Sequence, residues 1–258
     1  MESTDVLVIG SGIAGLCAAI EAARTGATVT VASAGKTMSG SSFFPGTWGL
    51  GLIGPVNEDD EQDLIDTILA VGGGVADPEL VQAFVHGIPQ AIDWLEQDLG
   101  VELQRPQSAK SAQQKQFIPC FDHKTRMWRG LTRKPLEDAL TTWIESLGIR
   151  LLPRHELIDL VEDTNGRITG TVLYDLTENR IVPFAAEATV IAAGGTGGLF
   201  ERSLTSADVL SSSQAIALAH GATLTNIEFM QMMPGFIEPR RNSVSYTHLR
   251  AHETLRHL

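Results

Sequence analysis

The apolar positions of the chain switch between two periods. Asp5-Val6-Leu7-Val8-Ile9 is a short β-branched run and predicts a buried strand. Gly10-Ser11-Gly12-Ile13-Ala14-Gly15 follows directly, and Leu16 to Thr25 then reads as a helix that closes on Gly26. Thr28-Val29-Thr30-Val31-Ala32 reads as a second strand. Helical spacing returns over Asn57–Val71, with an acidic first turn and Leu64, Ile65, Ile68 and Leu69 as its apolar stripe. A helix pair is predicted over Pro78–His86 and Pro89–Leu99, broken at Gly87-Ile88-Pro89, with Leu80, Phe84, Ile88, Ile92, Leu95 and Leu99 as the stripe. Two more helices are predicted over Pro135–Leu147 and Ser211–His220, each closed by a glycine. Strands are predicted at Ile149–Leu152, Leu157–Glu162, Arg167–Tyr174, Ile181–Phe184, Ala188–Ala193 and Thr223–Ile227. Asn165-Gly166 joins two of them as a hairpin turn, so a three-strand antiparallel meander precedes a parallel-type strand.

Three stretches lack either period. Residues 37 to 55 mix Gly and Ser with Phe43, Phe44 and Trp48, which suits backbone passing close to a flat ligand. Residues 104 to 116 are polar and read as a mobile excursion. Residues 117 to 130 gather His123, Lys124, Arg126, Arg129 and Trp128. They read either as a loop facing an anionic substrate or flavin, with His123 and Arg126 as the substrate-side candidates, or as a basic surface turn.

The order strand, glycine turn, helix, strand is the context of a dinucleotide-binding fingerprint. Gly10 allows the tight turn, Gly12 the approach of a pyrophosphate, and Gly15 close packing of helix on strand. The amides that open the helix, from Ile13 and Ala14 onward, offer hydrogen bonds and a positive dipole end to phosphate. The end of the second strand ordinarily carries Asp or Glu for a ribose hydroxyl, yet Ser33 stands there, followed by Ala34, Gly35 and Lys36. On spacing alone NAD and FAD are not separated. A second glycine turn, Ala193-Gly194-Gly195-Thr196-Gly197-Gly198, ends the later parallel-type strand and lets a second loop approach the same cofactor.

Composition narrows the classes. The 258 residues carry a net charge of −12, which argues against nucleic acid and anionic membrane surfaces as partners. No apolar run reaches membrane-spanning length, so no transmembrane segment is expected. Cys17 and Cys120 form no metal-binding spacing, no metal is expected, and Cys17 reads as a small core residue. This cysteine usage, with no basic leader, points to a cytoplasmic protein.

As a set, several motifs make the chain resemble the flavoprotein subunits of succinate dehydrogenase and fumarate reductase, together with L-aspartate oxidase. They are the Gly10–Gly15 turn, Ser33 where that family commonly carries Ser, and Gly40-Ser41-Ser42. Next come Asp66-Thr67-Ile68-Leu69-Ala70, Ala91-Ile92-Asp93-Trp94-Leu95 and Thr189 through Gly195, with Glu228-Phe229-Met230-Gln231 before Pro234. The resemblance implies an α/β fold. That fold is a Rossmann-like FAD-binding fold with an inserted antiparallel β-meander (about 155–185) and a helical insertion (about 57–130), spanning 1–244 and cut short at its C-terminal side. It also implies an FAD-dependent oxidoreductase that moves a hydride between flavin and a small carboxylate substrate, with no electron acceptor specified. FAD would lie against Gly10, Ser11, Gly12, Ile13, Ala14 and Gly15, then Ser33, Ala34 and Lys36. Gly40, Ser41 and Ser42 follow along it, Ala193, Gly194 and Gly195 close its other side, and the backbone at Glu156 and Leu157 meets the adenine. Ser41 falls where membrane-bound members carry the histidine that bonds to flavin, so non-covalent FAD is expected.

Two positions depart from the family pattern. Leu210-Ser211-Ser212-Ser213 replaces Thr-Gly-Asp-Gly, and Met233 replaces the histidine that touches a substrate carboxylate. Losing that donor costs about 1–3 kcal/mol at a dicarboxylate site. Residues 245–258 resemble nothing in the family and read as a non-native tail; the arginine that shuttles the proton in relatives has no counterpart before residue 245. The chain alone is therefore expected to be catalytically incomplete. A flavin-binding scaffold or carrier without dehydrogenation is the alternative.

Overall fold

A computed structural model describes residues 2–44, 50–108, 111–112, 124–201, 203, 205–230, 235–236 and 243–244. They fall into two compact units, one of Met1–Gly15, Val31–Thr47 and Leu152–Leu258, the other of Leu16–Thr30 and Trp48–Leu151.

The first unit is built on β8 (Arg180–Ile191), a 12-residue strand where two shorter ones are expected. Its early part pairs antiparallel with β7 (Ile168–Asp175), from Arg180 opposite Asp175 to Ala185 opposite Gly170. Its later part pairs parallel with β1 (Glu2–Ile9), from Phe184 opposite Glu2 to Ile191 opposite Ile9. One strand thus leaves the meander and enters the parallel layer without a break. The full order is β5-β2-β1-β8-β7-β6, with β2 at Val29–Ser33, β5 at Arg150–Pro153 and β6 at His155–Glu162. Between β5 and β6, the two ends of that order, stands a single residue, Arg154, at φ +62°. The sheet must therefore fold over, and its core fills the fold: Leu7, Ile9 and Ala32 meet Leu157, Leu160, Leu173, Val182 and Phe184. Gly166 takes φ +77° in the predicted hairpin turn, where the Asp163 carboxylate accepts the amides of Asn165 and Arg167. No strand forms at Thr223–Ile227: Asn226 adopts φ +56°, and the Phe229 amide returns to its carbonyl at 3.1 Å, which closes a turn instead.

The second unit holds most of α1 (Ile13–Arg24), then β3 (Leu50–Gly54), α2 (Glu58–Val71), α3 (Pro78–Asp93), β4 (Met127–Leu131) and α4 (Arg133–Ser146). The expected helix pair is one helix. α3 runs through Pro89 and widens into a π turn at Trp94–Asp98. Its buried face is Val81, Val85 and Ile92, continued by Leu95 and Leu99 at the same three-and-four spacing. Leu80 and Phe84, one position round the helix, are 59% and 62% exposed, so the predicted stripe is corrected by one position there. The glycine-rich stretch also contains a strand that sequence alone missed. β3 pairs antiparallel with β4, Gly51 opposite Gly130, and a Cβ on either would strike the Trp128 indole, at 2.8 and 2.5 Å. These glycines seat a tryptophan across the strand pair. Gln104, expected in a mobile excursion, exchanges both backbone hydrogen bonds with Gly130 at 2.8 Å. Cys17 is partly buried, and burial pushes its thiol up to about 11, in keeping with a packing role.

In the first unit, α5 (Ser212–Ala219) ends on His220, whose Nδ1 meets Glu162 at 2.5 Å and Nε2 meets Asp159 at 2.9 Å, both on β6. Two carboxylate partners require both ring nitrogens to donate, so the imidazolium is favoured. Hydrogen bonds donated to Asp159 and then Glu162 raise the His220 pKa above 6.5, and the bond from His220 lowers that of Asp159 below 3.8. The stabilisation is full below the unfolded histidine value and is lost as pH rises through the raised one. The carboxylate contribution is lost as pH falls through the lowered one. His220→Asn is therefore expected to lower the melting temperature most near about pH 5 and hardly at all by about pH 9. A pH-independent difference in paired thermal melts would contradict this.

Candidate functional site

Two glycine turns meet at the carboxyl ends of β1 and β8. Gly10 leaves β1 at φ +111°, and its amide donates to the Ala32 carbonyl of β2 at 2.8 Å. A Cβ on Gly10 would lie 2.3 Å from the Ala192 oxygen and 3.1 Å from Ala193 Cα. The Gly10 and Ala192 backbones are packed in direct contact, a position only glycine can hold. Gly15, at the start of α1, is equally fixed, since its Cβ would lie 1.9 Å from the Gly10 oxygen. Gly12 is different. Among the described residues, no atom other than those of its chain neighbours stands within 4 Å of where its side chain would begin. The same is true of Gly195 in the second turn. Gly194 takes φ +79° and its carbonyl accepts from the Gln214 amide of α5.

The loop after β2 lies against the first turn. Ser33 ends the strand almost fully buried, Ala34 is half-buried and Lys36 is exposed. Ser11 is 4% exposed, and its hydroxyl donates to the Lys36 carbonyl at 3.2 Å. Gly40, at φ +44°, brings its Cβ position to 3.5 Å from Gly12 Cα, and Ser41 and Ser42 form a 3-10 turn with buried Phe43. The Arg154 amide donates to the Gly35 carbonyl at 3.0 Å, which sets the first residues of β6 next to this loop. Glu156 there is half-buried, whereas Leu157 points into the core at 3% exposure, so only its backbone can contribute.

The structure thus gathers Gly10, Ser11, Gly12, Gly15, Lys36, Gly40, Ala193 and Gly194 around one spot, with Ile13 and Ala14 supplying the first helical amides. An α-helix leaves its first amides without intrahelical partners, and here they follow the open position at Gly12. A cradle with a clear approach at Gly12, two walls of backbone and helix-opening amides fits a pyrophosphate.

The substrate-side candidates are His123 and Arg126. His123 lies outside the described residues, as do Cys120, Met233 and the 245–258 tail. Arg126 belongs to the second unit and is fully buried. Its guanidinium is paired with Asp60, and with Asp63 at 2.8 Å, both on α2. Hydrogen bonds from Lys124 and then Arg126 hold the Asp63 carboxyl below its ordinary range. Among the described residues no group of histidine, cysteine and carboxylate side chains is placed to hold a metal. Sequence reasoning did not find Ser39, Arg154, Asp208 or Gln214. The Ser39–Asp208 contact spans 169 positions, and Arg154 betrays itself only through a backbone angle.

The family profile described as FAD binding domain matches residues 5–254. An L-aspartate oxidase of Halobacterium salinarum is 35% identical over 248 residues, covering 90% of this chain and 45% of that protein. The 8-methylmenaquinol:fumarate reductase flavoprotein subunit of Wolinella succinogenes is 30% identical, covering 91% of the chain and 38% of that subunit. A solved open conformation of a flavocytochrome c3 fumarate reductase superposes with a TM-score of 0.75 over 95% of the chain and 45% of its own, at 22% identity, and speaks for the fold alone. The chain therefore spans less than half the length of the relatives it matches.

The cradle predicts a split among its glycines. Gly12→Ala should leave the melting temperature within about 2 °C of the parent while weakening flavin binding at least tenfold. Gly15→Ala should lower stability itself, by about 2 kcal/mol or more. Equal effects of the two substitutions on folding would contradict this geometry.

Proposed function

Because the chain belongs to the FAD-binding domain family and takes FAD as its cofactor, we propose that it is the FAD-holding part of an oxidoreductase acting on a small carboxylate, of the fumarate reductase and L-aspartate oxidase kind. The observation that carries the reading is the glycine cradle at Gly10–Gly15, open at Gly12 and backed by Ala192 and Ala193. When bound, FAD supplies hydride transfer. The chain's own residues have simpler tasks. The amides opening α1 neutralise pyrophosphate charge. The Ser11 hydroxyl holds the Lys36 backbone, which keeps the loop after β2 at the ribose end. The Gly194 carbonyl, fixed by Gln214, keeps the second turn against the first. Ser41, at the site of the histidine that links flavin in membrane-bound relatives, offers no such bond, so FAD is held non-covalently. The carboxylate substrate and a cytoplasmic location belong to the same proposal. Among the described residues no helix is long and apolar enough to cross a membrane.

A second reading, a flavin-binding scaffold without dehydrogenation, is favoured by the departures at Ser211–Ser213 and Met233. Ser211 adopts φ +65°, a left-handed conformation that a glycine takes without strain.

The purified 258-residue chain, supplied with FAD, should show a flavin spectrum, and heat or acid should release the pigment as FAD. Flavin that stays attached after denaturation would contradict the non-covalent reading. A chain that takes up NAD and ignores FAD would contradict the whole. Reduced anaerobically, the flavin bound to this chain alone should stay reduced when fumarate or a related small carboxylate is added, because no proton-shuttling arginine stands before residue 245; rapid reoxidation by one of them would contradict the incomplete-site reading.

A further inference from the structure

We propose that Asp208 is the carboxylate that receives the adenosine ribose of FAD, supplied from the segment before α5 because the end of β2 carries none. The proposal rests on FAD lying at the Gly10–Gly15 turn. In a fingerprint of this type the ribose sits beside the end of the second strand, where an acid accepts its hydroxyls. Here that place is Ser33, a neutral side chain that is 8% exposed. The loop that follows nevertheless has a carboxylate against it. Ser39 Oγ donates to Asp208 Oδ2 at 3.1 Å. A Cβ on Gly35 would lie 1.8 Å from the same oxygen, so Asp208 occupies the space where any other residue at 35 would begin its side chain.

The other oxygen, Asp208 Oδ1, is buried and has no hydrogen-bond partner among the described residues. A buried carboxylate oxygen left unpaired is costly, and it is repaired by a donor from outside the chain. A ribose offers two adjacent hydroxyl donors, and hydroxyl-to-carboxylate bonds are among the strong ones. Among the described residues Asp208 belongs to no group of three histidine, cysteine or carboxylate side chains that could hold a metal, so a cation is the poorer fit. The segment is held in place independently of any ligand. The Val209 amide returns to Ser206 at 3.2 Å, the Val209 carbonyl accepts from Gly198 at 2.8 Å, and the Val209 side chain is buried beside Gly194. Asp208 therefore ties the second glycine turn to the ribose end of the first.

The test is a cycle between protein and cofactor, read by quenching of flavin fluorescence rather than by turnover. Parent chain and Asp208→Asn are each titrated with FAD and with FAD analogues whose adenosine lacks the 2′- or the 3′-hydroxyl. The parent is expected to bind FAD about tenfold or more tighter than at least one deoxy analogue, and Asp208→Asn to lose a similar factor for FAD. In the variant the same deoxy analogue should bind as well as FAD does, so that the two losses do not add. Three results would overturn the assignment: a parent that does not distinguish FAD from either analogue, a variant that binds FAD like the parent, or losses that add. The first needs no variant to fold. A parent chain that binds no FAD at all overturns the cofactor reading with it, whereas one that binds FAD without ribose discrimination overturns only the role of Asp208.

Discussion

Everything at the site depends on the contact between the backbones of Gly10 and Ala192. At 2.3 Å from a would-be Cβ to the Ala192 oxygen, the contact admits no side chain at position 10. It exists because β1 and β8 run parallel in register from Glu2 to Ile9, so that both strands end at the same level and both end in glycine turns. Parallel pairing delivers two loops to one edge, and the positive φ of Gly10 and Gly194 bends each of them. The helix that opens after Gly12 then adds free amides and a dipole end at that edge. A phosphate-binding cradle follows from strand register and missing side chains, with no charged residue required at its centre.

The rest of the first unit braces that edge. β8 continues from the antiparallel meander into the parallel layer, so the layers cannot slide without breaking one strand. Arg154, the single residue between β5 and β6, carries the chain across and donates its amide to Gly35. Ser11, Arg154 and Asp208 fix the loop after β2 from three sides, through Lys36, Gly35 and Ser39 in turn. At the far end of α5, His220 closes on Asp159 and Glu162. The helix that holds the second turn through Gln214 is thereby tied to the meander.

The sequence was most legible where local chemistry decides. Strand, Gly-x-Gly-x-x-Gly and helix appear within 24 residues, and the Asn165-Gly166 hairpin is a two-residue signal. Both are local patterns, and both formed. Less legible were features set by distant partners. The glycines at 51 and 130 look like ligand-lining backbone until Trp128 is seen lying across them. Pro89 reads as a break, yet the buried line of Val81, Val85 and Ile92 carries the helix through it. Arg126 reads as an exposed cation in a basic loop and is buried against two aspartates of α2. Asp208 carries no local signal, because its meaning comes from Gly35 and Ser39 and from the acid that β2 lacks.

The most direct measurement of the central claim is an amide NMR titration of the chain with FAD. The largest shifts are expected at Gly10 to Gly15, at Ser33 to Ser42 and at Gly194 and Gly195, with α2 and α3 little changed. Shifts of similar size spread over α2, α3 and the β3–β4 pair, with the Gly10–Gly15 amides still, would contradict the placement of the cofactor at the paired glycine turns.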